Sequence, residues 1–237
     1  MTLEFVLDAI RQAANLPVME EIWFEGGEPF LYYPVLIEGV REARKSGLDV
    51  GIVTNAWFAT TVEDAKLWLQ ALAEIGGVSV SISEDTFHGN DESDTSVTRN
   101  ARSAADSLGI PSGVICIEPP SSVPDVKRHG EPILGGGVRF RGRAVDTLGD
   151  DPSLPRRHWE EFTECPDEDF RDLGRLHLDA YGNLFNCQGV VIGNLNRKTL
   201  GDVLNGYNPD LHPIIGPLLR GGPAGLVREY NLSLIHI

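Results

Sequence analysis

A steady alternation of helix-like and strand-like segments is the feature that most restricts the fold. Apolar residues recur at helical spacing in four stretches, residues 3–14, 34–46, 60–75 and 96–108. Short apolar runs follow them, and the polar groups that end these runs are 29 positions apart from Gly26 to Asn55 and 28 from Asn55 to Ser83. Such a period is typical of a parallel sheet covered by helices. The sequence therefore predicts an α/β fold, compatible with an open sheet or a closed barrel.

The individual elements follow from local signals. Strands are predicted at residues 21–24, 50–53, 78–83, 113–117 and 138–141. Thr60 and Glu63 have the spacing of a capping box and predict the start of the third helix. Glycines at the ends of the second and third helices are typical of helix C-caps.

The second half of the chain predicts a smaller unit. We expect one α/β domain over residues 1–146, a polar linker at 147–174 and an α+β appendix at 175–231. The appendix has a hairpin signature around Tyr181 and Gly182, followed by a short helix near 199–204. Residues 232–237 resemble the in-frame translation of a sequencing adapter and are interpreted as an artefact.

Composition limits the classes of function. The 237 residues include 35 acidic and 20 basic side chains, a net charge of −15. This balance argues against a nucleic-acid partner, whose phosphates require clustered Lys and Arg. The sequence has no apolar run long enough to cross a membrane, and it does not begin with a basic leader. We therefore expect a cytoplasmic protein without a membrane partner. The three cysteines are too scattered for a disulfide scaffold.

Small polar groups follow the first three predicted strands, where ligands bind in α/β sheets and barrels. Paired glycines let backbone groups approach a ligand closely, and a carboxylate among carbonyl groups suits an ammonium ion. Hydroxyl and carboxylate groups together suit a ribose diol. The candidate binding residues are Gly26, Gly27, Glu28, Pro29, Thr54, Asn55, Ser83 and Asp85.

A known family carries these segments in the same order. Residues 25–29 (Glu-Gly-Gly-Glu-Pro), 53–55 (Val-Thr-Asn), 81–85 (Ser-Ile-Ser-Glu-Asp) and 141–144 (Arg-Gly-Arg-Ala) resemble motifs of the radical S-adenosylmethionine superfamily. The resemblance covers residues 3–145. It implies a partial (β/α)6 TIM-like barrel, here lacking its first strand, that binds S-adenosyl-L-methionine. By that resemblance Gly26, Gly27 and Glu28 hold the methionyl ammonium group, and Ser83 and Asp85 lie near the ribose or the carboxylate.

The resemblance also implies a reaction. A reduced [4Fe–4S] cluster passes an electron to the sulfonium, and the 5′-deoxyadenosyl radical that forms abstracts a hydrogen atom from a small-molecule or peptide substrate. The electron donor would be a protein such as a flavodoxin or a ferredoxin. The catalytic residues are unknown at this stage.

The cysteine pattern departs from the family, whose cluster is held by a C-x3-C-x2-C motif after the first barrel strand. This chain has only Cys116, Cys165 and Cys187. Its first predicted strand carries the motif of the family's second strand, so we interpret the chain as an N-terminally truncated fragment with the cluster ligands upstream. Two alternatives stay open: a degenerate, non-catalytic barrel that binds S-adenosylmethionine or a partner, and an unrelated barrel hydrolase using Glu28 and Asp85.

The three cysteines differ in their surroundings. Cys116 lies among apolar strand residues and is expected to be a buried structural thiol. Cys165 and Cys187 fall in the polar second half, and residues 182–187 have the form G-x4-C. This resembles the SPASM or twitch extensions of the family, in which cysteines bind an auxiliary iron–sulfur cluster. Cys165 and Cys187 are therefore candidate metal ligands, with thiols in a vestigial hairpin as the alternative.

Overall fold

The computed structural model describes residues 1–84, 96–116, 158–165, 169–187 and 189–232. The chain divides into two compact units. The first contains the described residues from 2 to 116, and the second those from 158 onward. The predicted α/β class is confirmed, since a four-stranded parallel sheet and a small three-stranded antiparallel sheet are combined with helices.

The first unit repeats a helix followed by a strand four times. Its helices are α1 (Leu3–Ala14), α2 (Tyr33–Lys45), α3 (Val62–Ile75) and α4 (Ser96–Leu108). Its strands are β1 (Glu21–Phe24), β2 (Asp49–Thr54), β3 (Val78–Glu84) and β4 (Ser112–Cys116), hydrogen-bonded in that order. A 3-10 helix, Pro29–Tyr32, leads directly into α2. The four predicted helices and the first four predicted strands are all found within two residues of their expected ends, and the strand predicted at 138–141 lies outside the described residues.

Threonine caps fix where two of these helices begin. The Thr2 hydroxyl accepts a hydrogen bond from Phe5 N at 3.3 Å and starts α1. At α3 the predicted cap was wrong by one residue: Thr61, not Thr60, accepts from Asp64 N at 3.0 Å. The Thr60 hydroxyl donates instead to the Asp64 carboxylate at 2.6 Å. Both hydroxyls hold the pKa of Asp64 below its ordinary value.

The core lies between the sheet and the helices. Val50, Ile52, Val80 and Ile82 of the two central strands are at most 3% exposed and belong to one apolar cluster with the helices. Full burial of a side chain of this size stabilises the fold by roughly 1.5–3 kcal/mol. The helix residues of this cluster include Leu36, Ile37, Val40, Ala65, Leu69, Leu72, Ala101, Ala104 and Ala105.

The parallel register brings the strand ends to one edge of the sheet. Phe24 pairs with Ile52, and Thr54 pairs with Ile82. Because neighbouring strands lie about 4.8 Å apart, loops that leave the carboxyl ends of β1, β2 and β3 are close neighbours. The candidate residues of the first three strands therefore share one edge.

The second unit is built on a three-stranded meander, β5 (His177–Leu178), β6 (Asn183–Phe185) and β7 (Val191–Asn194). The predicted hairpin corresponds to β5 and β6. Two helices follow, α5 (Leu200–Asn205), which was predicted, and α6 (Ile215–Tyr230), which was not. A 3-10 helix, Trp159–Glu161, precedes them.

The linker predicted at 147–174 contributes packed residues to this second unit. Phe170 is 2% exposed, and the Phe162 carbonyl accepts a hydrogen bond from Ala224 N of α6 at 3.0 Å. The Trp159 ring lies 5.6 Å from the Arg228 guanidinium of the same helix. Across the described parts of both units, every helix is too short or too polar to cross a bilayer.

Candidate functional site

The chain after β1 exposes the backbone of two consecutive glycines. Gly26 and Gly27 have φ values of +77° and +56°, a region that side chains disfavour. Both are solvent-exposed, and a Cβ atom at either position would meet no atom within 4 Å. Glycine is required here by the backbone conformation and not by crowding. The peptide groups of this pair are accordingly open to a ligand.

Glu28 lies beside the glycines and is 7% exposed. Its Oε1 accepts hydrogen bonds from Phe30 N at 3.1 Å and from the Thr54 hydroxyl at 2.8 Å. Its Oε2 accepts one from Asn55 N at 2.8 Å. The first bond caps the 3-10 helix that starts at Pro29, and the other two join the end of β1 to the end of β2.

Sequence reasoning expected the Glu28 carboxylate to receive an ammonium group, and the structure surrounds it with donors of the same chain. A carboxylate offers about four lone-pair positions, so three filled positions leave one, on Oε2. Hydrogen bonds to a charged acceptor contribute about 1.5–3 kcal/mol each. Glu28 thus holds two loops together, and the described residues leave one acceptor position on Oε2 unfilled.

The turn after β2 is held in a strained conformation. Ala56 has a φ of +55° and is fully buried. A non-glycine residue in this region costs about 1–2 kcal/mol, and such strain persists where the surroundings over-determine the backbone. Here the Thr54 hydroxyl accepts from Ala56 N at 3.0 Å, and Asn55 Oδ1 accepts from Trp57 N at 3.1 Å. Sequence reasoning missed Ala56, because nothing in its residue type signals a left-handed backbone.

Aromatic packing supports both loops from the helix side. The rings of Phe30 and Phe58, one from each loop, lie 4.4 Å apart, and Trp68 of α3 packs 5.5 Å from Phe58. Tyr33 donates its hydroxyl to the Trp68 carbonyl at 2.9 Å, and desolvation raises its pKa, so it stays a neutral donor. Sequence reasoning missed this cluster, although aromatic residues follow both strand ends closely.

Ser83 lies on the third neighbouring strand. It is half-buried, and it pairs with Ile115 of β4. Asn55 follows Thr54, and Ser83 follows Ile82. Because Thr54 pairs with Ile82, Asn55 and Ser83 lie at the same level of the edge. Asp85 lies outside the described residues. Of the predicted site, the structure joins Glu28, Thr54 and Asn55 by hydrogen bonds and places Ser83 on the adjoining strand.

The two candidate metal ligands both lie in the second unit. Cys165 and Cys187 are half-buried, and neither is in a disulfide. Within the described ranges, no group of three or more His, Cys, Asp or Glu side chains is arranged to hold a metal ion. The chain beside Cys187 is anchored, since Asn186, 1% exposed, donates to the Asp169 carbonyl at 3.3 Å. Cys116 is the last residue of β4, and its side chain is not among the described atoms.

No protein-family model matches the chain, and no curated protein matches it. The function is therefore argued from the geometry of the strand ends and from the motifs.

Proposed function

We propose that this chain is the S-adenosylmethionine-binding part of a radical S-adenosylmethionine enzyme, with a partial barrel as its first unit and a SPASM- or twitch-like second unit. The observation that carries the proposal is the position of Glu28. Its carboxylate joins the Thr54–Asn55 turn to the exposed Gly26–Gly27 pair, so the first two of the four motif segments form one connected site. The third segment, at Ser83, lies on the next strand.

The residues at this edge suit the cofactor. The Gly26–Gly27 carbonyls and the remaining position on Glu28 Oε2 are acceptors, as an ammonium group requires. Residues 25–32, 54–61 and 83–84 contain three carboxylates, those of Glu25, Glu28 and Glu84, and neither Lys nor Arg. This negative balance favours a ligand that carries a sulfonium and an ammonium charge.

The residues of this chain would bind and orient the cofactor. Bound next to a reduced iron–sulfur cluster, S-adenosylmethionine supplies the 5′-deoxyadenosyl radical for hydrogen abstraction from a peptide or small-molecule substrate. Gly26, Gly27 and Glu28 would hold the methionyl ammonium group, and Asn55 and Ser83 would border it. The chain lacks the C-x3-C-x2-C spacing, so binding is the property to test first.

Equilibrium dialysis of the purified chain with radiolabelled S-adenosylmethionine tests the proposal. We expect saturable binding that unlabelled S-adenosylmethionine competes and ATP does not. Gly27→Ala should weaken binding at least about tenfold. Alanine disfavours the positive φ of this residue, so its Cβ would disturb the backbone groups that receive the ligand. Gly47→Ala is the matched control, since Gly47 also has a positive φ of +84° and open space around its Cβ position but follows α2 at the opposite edge.

Absence of saturable binding, or equal losses in both glycine variants, would contradict the proposal. A circular dichroism spectrum and an unfolding midpoint for each variant show whether a loss reflects the site or the fold. Both positions have a positive φ and open space around the Cβ position, so a difference in binding between the two variants reports on the ligand.

A second candidate function is a non-catalytic barrel that binds the same cofactor or a partner protein. The missing three-cysteine spacing favours it. Anaerobic reconstitution with iron and sulfide distinguishes the enzyme from the non-catalytic barrel. It is applied to this chain and to a chain extended by the preceding coding sequence. Release of 5′-deoxyadenosine from the extended chain supports the enzyme, whereas binding without release in both supports the non-catalytic protein.

The proposed auxiliary cluster has a separate test. The chain and its Cys165→Ser and Cys187→Ser variants are reconstituted under argon, and iron and sulfide are measured per chain. Iron and sulfide that fall in both variants support ligation by both cysteines. Unchanged content in either variant contradicts the role of that cysteine.

A further inference from the structure

The turn after β2 is held by hydrogen bonds of its own polar groups. The Thr54 hydroxyl donates to Glu28 and accepts from Ala56 N. The Asn55 backbone N–H donates to Glu28, and Asn55 Oδ1 accepts from Trp57 N. The side-chain amide nitrogen of Asn55, Nδ2, has no acceptor among the described residues. This side-chain nitrogen can therefore donate to a ligand.

The orientation of the Asn55 amide is fixed by its neighbour. Asparagine oxygen and nitrogen are assigned from their hydrogen-bond partners, and a backbone N–H can only donate. Because Trp57 N–H faces the Asn55 amide at 3.1 Å, the atom it meets must be the oxygen. Nδ2 consequently points away from Trp57 N, and neither of its hydrogens is used by a described residue. The residue itself is half-buried, so this donor is partly withdrawn from water.

The location of Asn55 determines which part of a ligand it meets. Its backbone nitrogen is 2.8 Å from Glu28 Oε2, the oxygen with a remaining acceptor position. An α-amino acid carries its ammonium and carboxylate on the same carbon atom, and neighbouring strands are about 4.8 Å apart. With the ammonium group at Gly26–Gly27 on the end of β1, the end of the adjoining strand, where Asn55 lies, is within reach of the carboxylate.

We propose that Asn55 is a specificity-determining residue whose Nδ2 donates a hydrogen bond to the carboxylate of a bound methionyl group. This inference rests on the proposed function and assigns a contact to the carboxylate, the group that distinguishes a complete amino acid from an amine. A neutral donor suits this task because the surrounding carboxylates already favour the cationic part of the ligand. Asn55 acts by contact with the ligand, as Glu28 does, whereas Thr54 positions the Glu28 carboxylate and the turn.

Decarboxylated S-adenosylmethionine is the probe for this role, because it keeps the sulfonium and ammonium charges and lacks the carboxylate. Dissociation constants for both compounds are measured with the unaltered chain and with Asn55→Asp. The Asp side chain keeps an oxygen for Trp57 N and replaces the donor by a negative charge. We expect binding of S-adenosylmethionine to weaken at least about tenfold, as for one charge-assisted hydrogen bond, while the decarboxylated compound binds as tightly as before or tighter.

Asn55→Ala and Asn15→Ala complete the design. Asn55→Ala removes the donor without adding charge and should weaken S-adenosylmethionine more than the decarboxylated compound. Asn15 follows α1 at the opposite edge of the sheet and should change neither constant. Equal losses for both compounds in the two Asn55 variants overturn the inference and leave the proposed function standing. If the unaltered chain binds neither compound, the proposed function fails instead.

Discussion

The Thr54 hydroxyl donates a hydrogen bond to the buried Glu28 carboxylate at 2.8 Å, across the boundary between the first and second strand ends. The same hydroxyl accepts from Ala56 N, so one oxygen atom links the carboxylate to the strained turn. This contact ties the loop that follows β1 to the turn that follows β2. The contribution of this hydrogen bond to the stability of the first unit can be measured without any ligand.

Replacing Thr54 by Val should destabilise the first unit by about 2–3 kcal/mol, because a buried carboxylate loses a donor and Ala56 N loses its acceptor. Thr54→Ser keeps the hydroxyl and should cost less than half as much. Urea unfolding followed by tryptophan fluorescence measures both. Equal losses would show that the methyl group contributes as much as the hydroxyl at this position, and would contradict the prediction.

Ala56 and Ala59 form a matched pair for the strain in this turn. Both are fully buried, but only Ala56 has a positive φ. Each change to Gly removes a buried methyl group and adds backbone entropy to the unfolded chain. Ala56→Gly also relieves a conformation worth about 1–2 kcal/mol, so it should be the less destabilising change by at least about 1 kcal/mol. Thermal unfolding of the two variants provides the comparison, and the reverse order would contradict it.

The repeating elements of the first unit could be predicted because their signals are local. Apolar periodicity and the glycines after α2 and α3 define them to within two residues. The choice between adjacent caps could not be predicted, since Thr60 and Thr61 each precede an acidic residue by three positions and only packing selects Thr61. Likewise the sequence places Glu28 beside two glycines, but two of its three donors, Thr54 and Asn55, come from the end of β2, 26 and 27 residues away.

Helix α6 is an element that local sequence signals do not predict. Gly221, Gly222 and Pro223 interrupt its sequence and indicate a loop, and the backbone at both glycines is in fact non-helical. The element continues because the segment at 162–164 packs into the break, where Ala224 N finds the Phe162 carbonyl. A contact between residues 62 positions apart cannot be deduced from either segment alone.

Gly222 should be the sensitive residue in that break, and Gly221 its control. A Cβ on Gly222 would lie 2.4 Å from Glu164 N and from the Thr163 carbonyl carbon, at a φ of +58°. Gly221 has an extended φ of −172° and open space. We expect Gly222→Ala to cost about 3 kcal/mol through overpacking and backbone strain, and Gly221→Ala to cost less than about 1 kcal/mol. Limited proteolysis near residue 163 should rise only in the first variant; equal digestion of both would contradict the packing.

The hairpin of the second unit should lose stability in acid. Desolvation alone would raise the pKa of Asp179, but hydrogen bonds from the Asn183 side chain and from the Asn183 and Tyr181 backbone outweigh it and hold the pKa below its ordinary value. A carboxylate with a depressed folded pKa contributes stability above its unfolded pKa of about 3.9 and loses it as pH falls through the folded value. Amide hydrogen exchange of residues 177–185 should therefore be slow at neutral pH and accelerate, relative to the intrinsic rate, below about pH 4. Asp179→Asn cannot ionise and should flatten this dependence, with the exposed Asp172→Asn as a control that leaves it unchanged. An unaltered pH profile in the Asp179 variant would assign the acid sensitivity to another group.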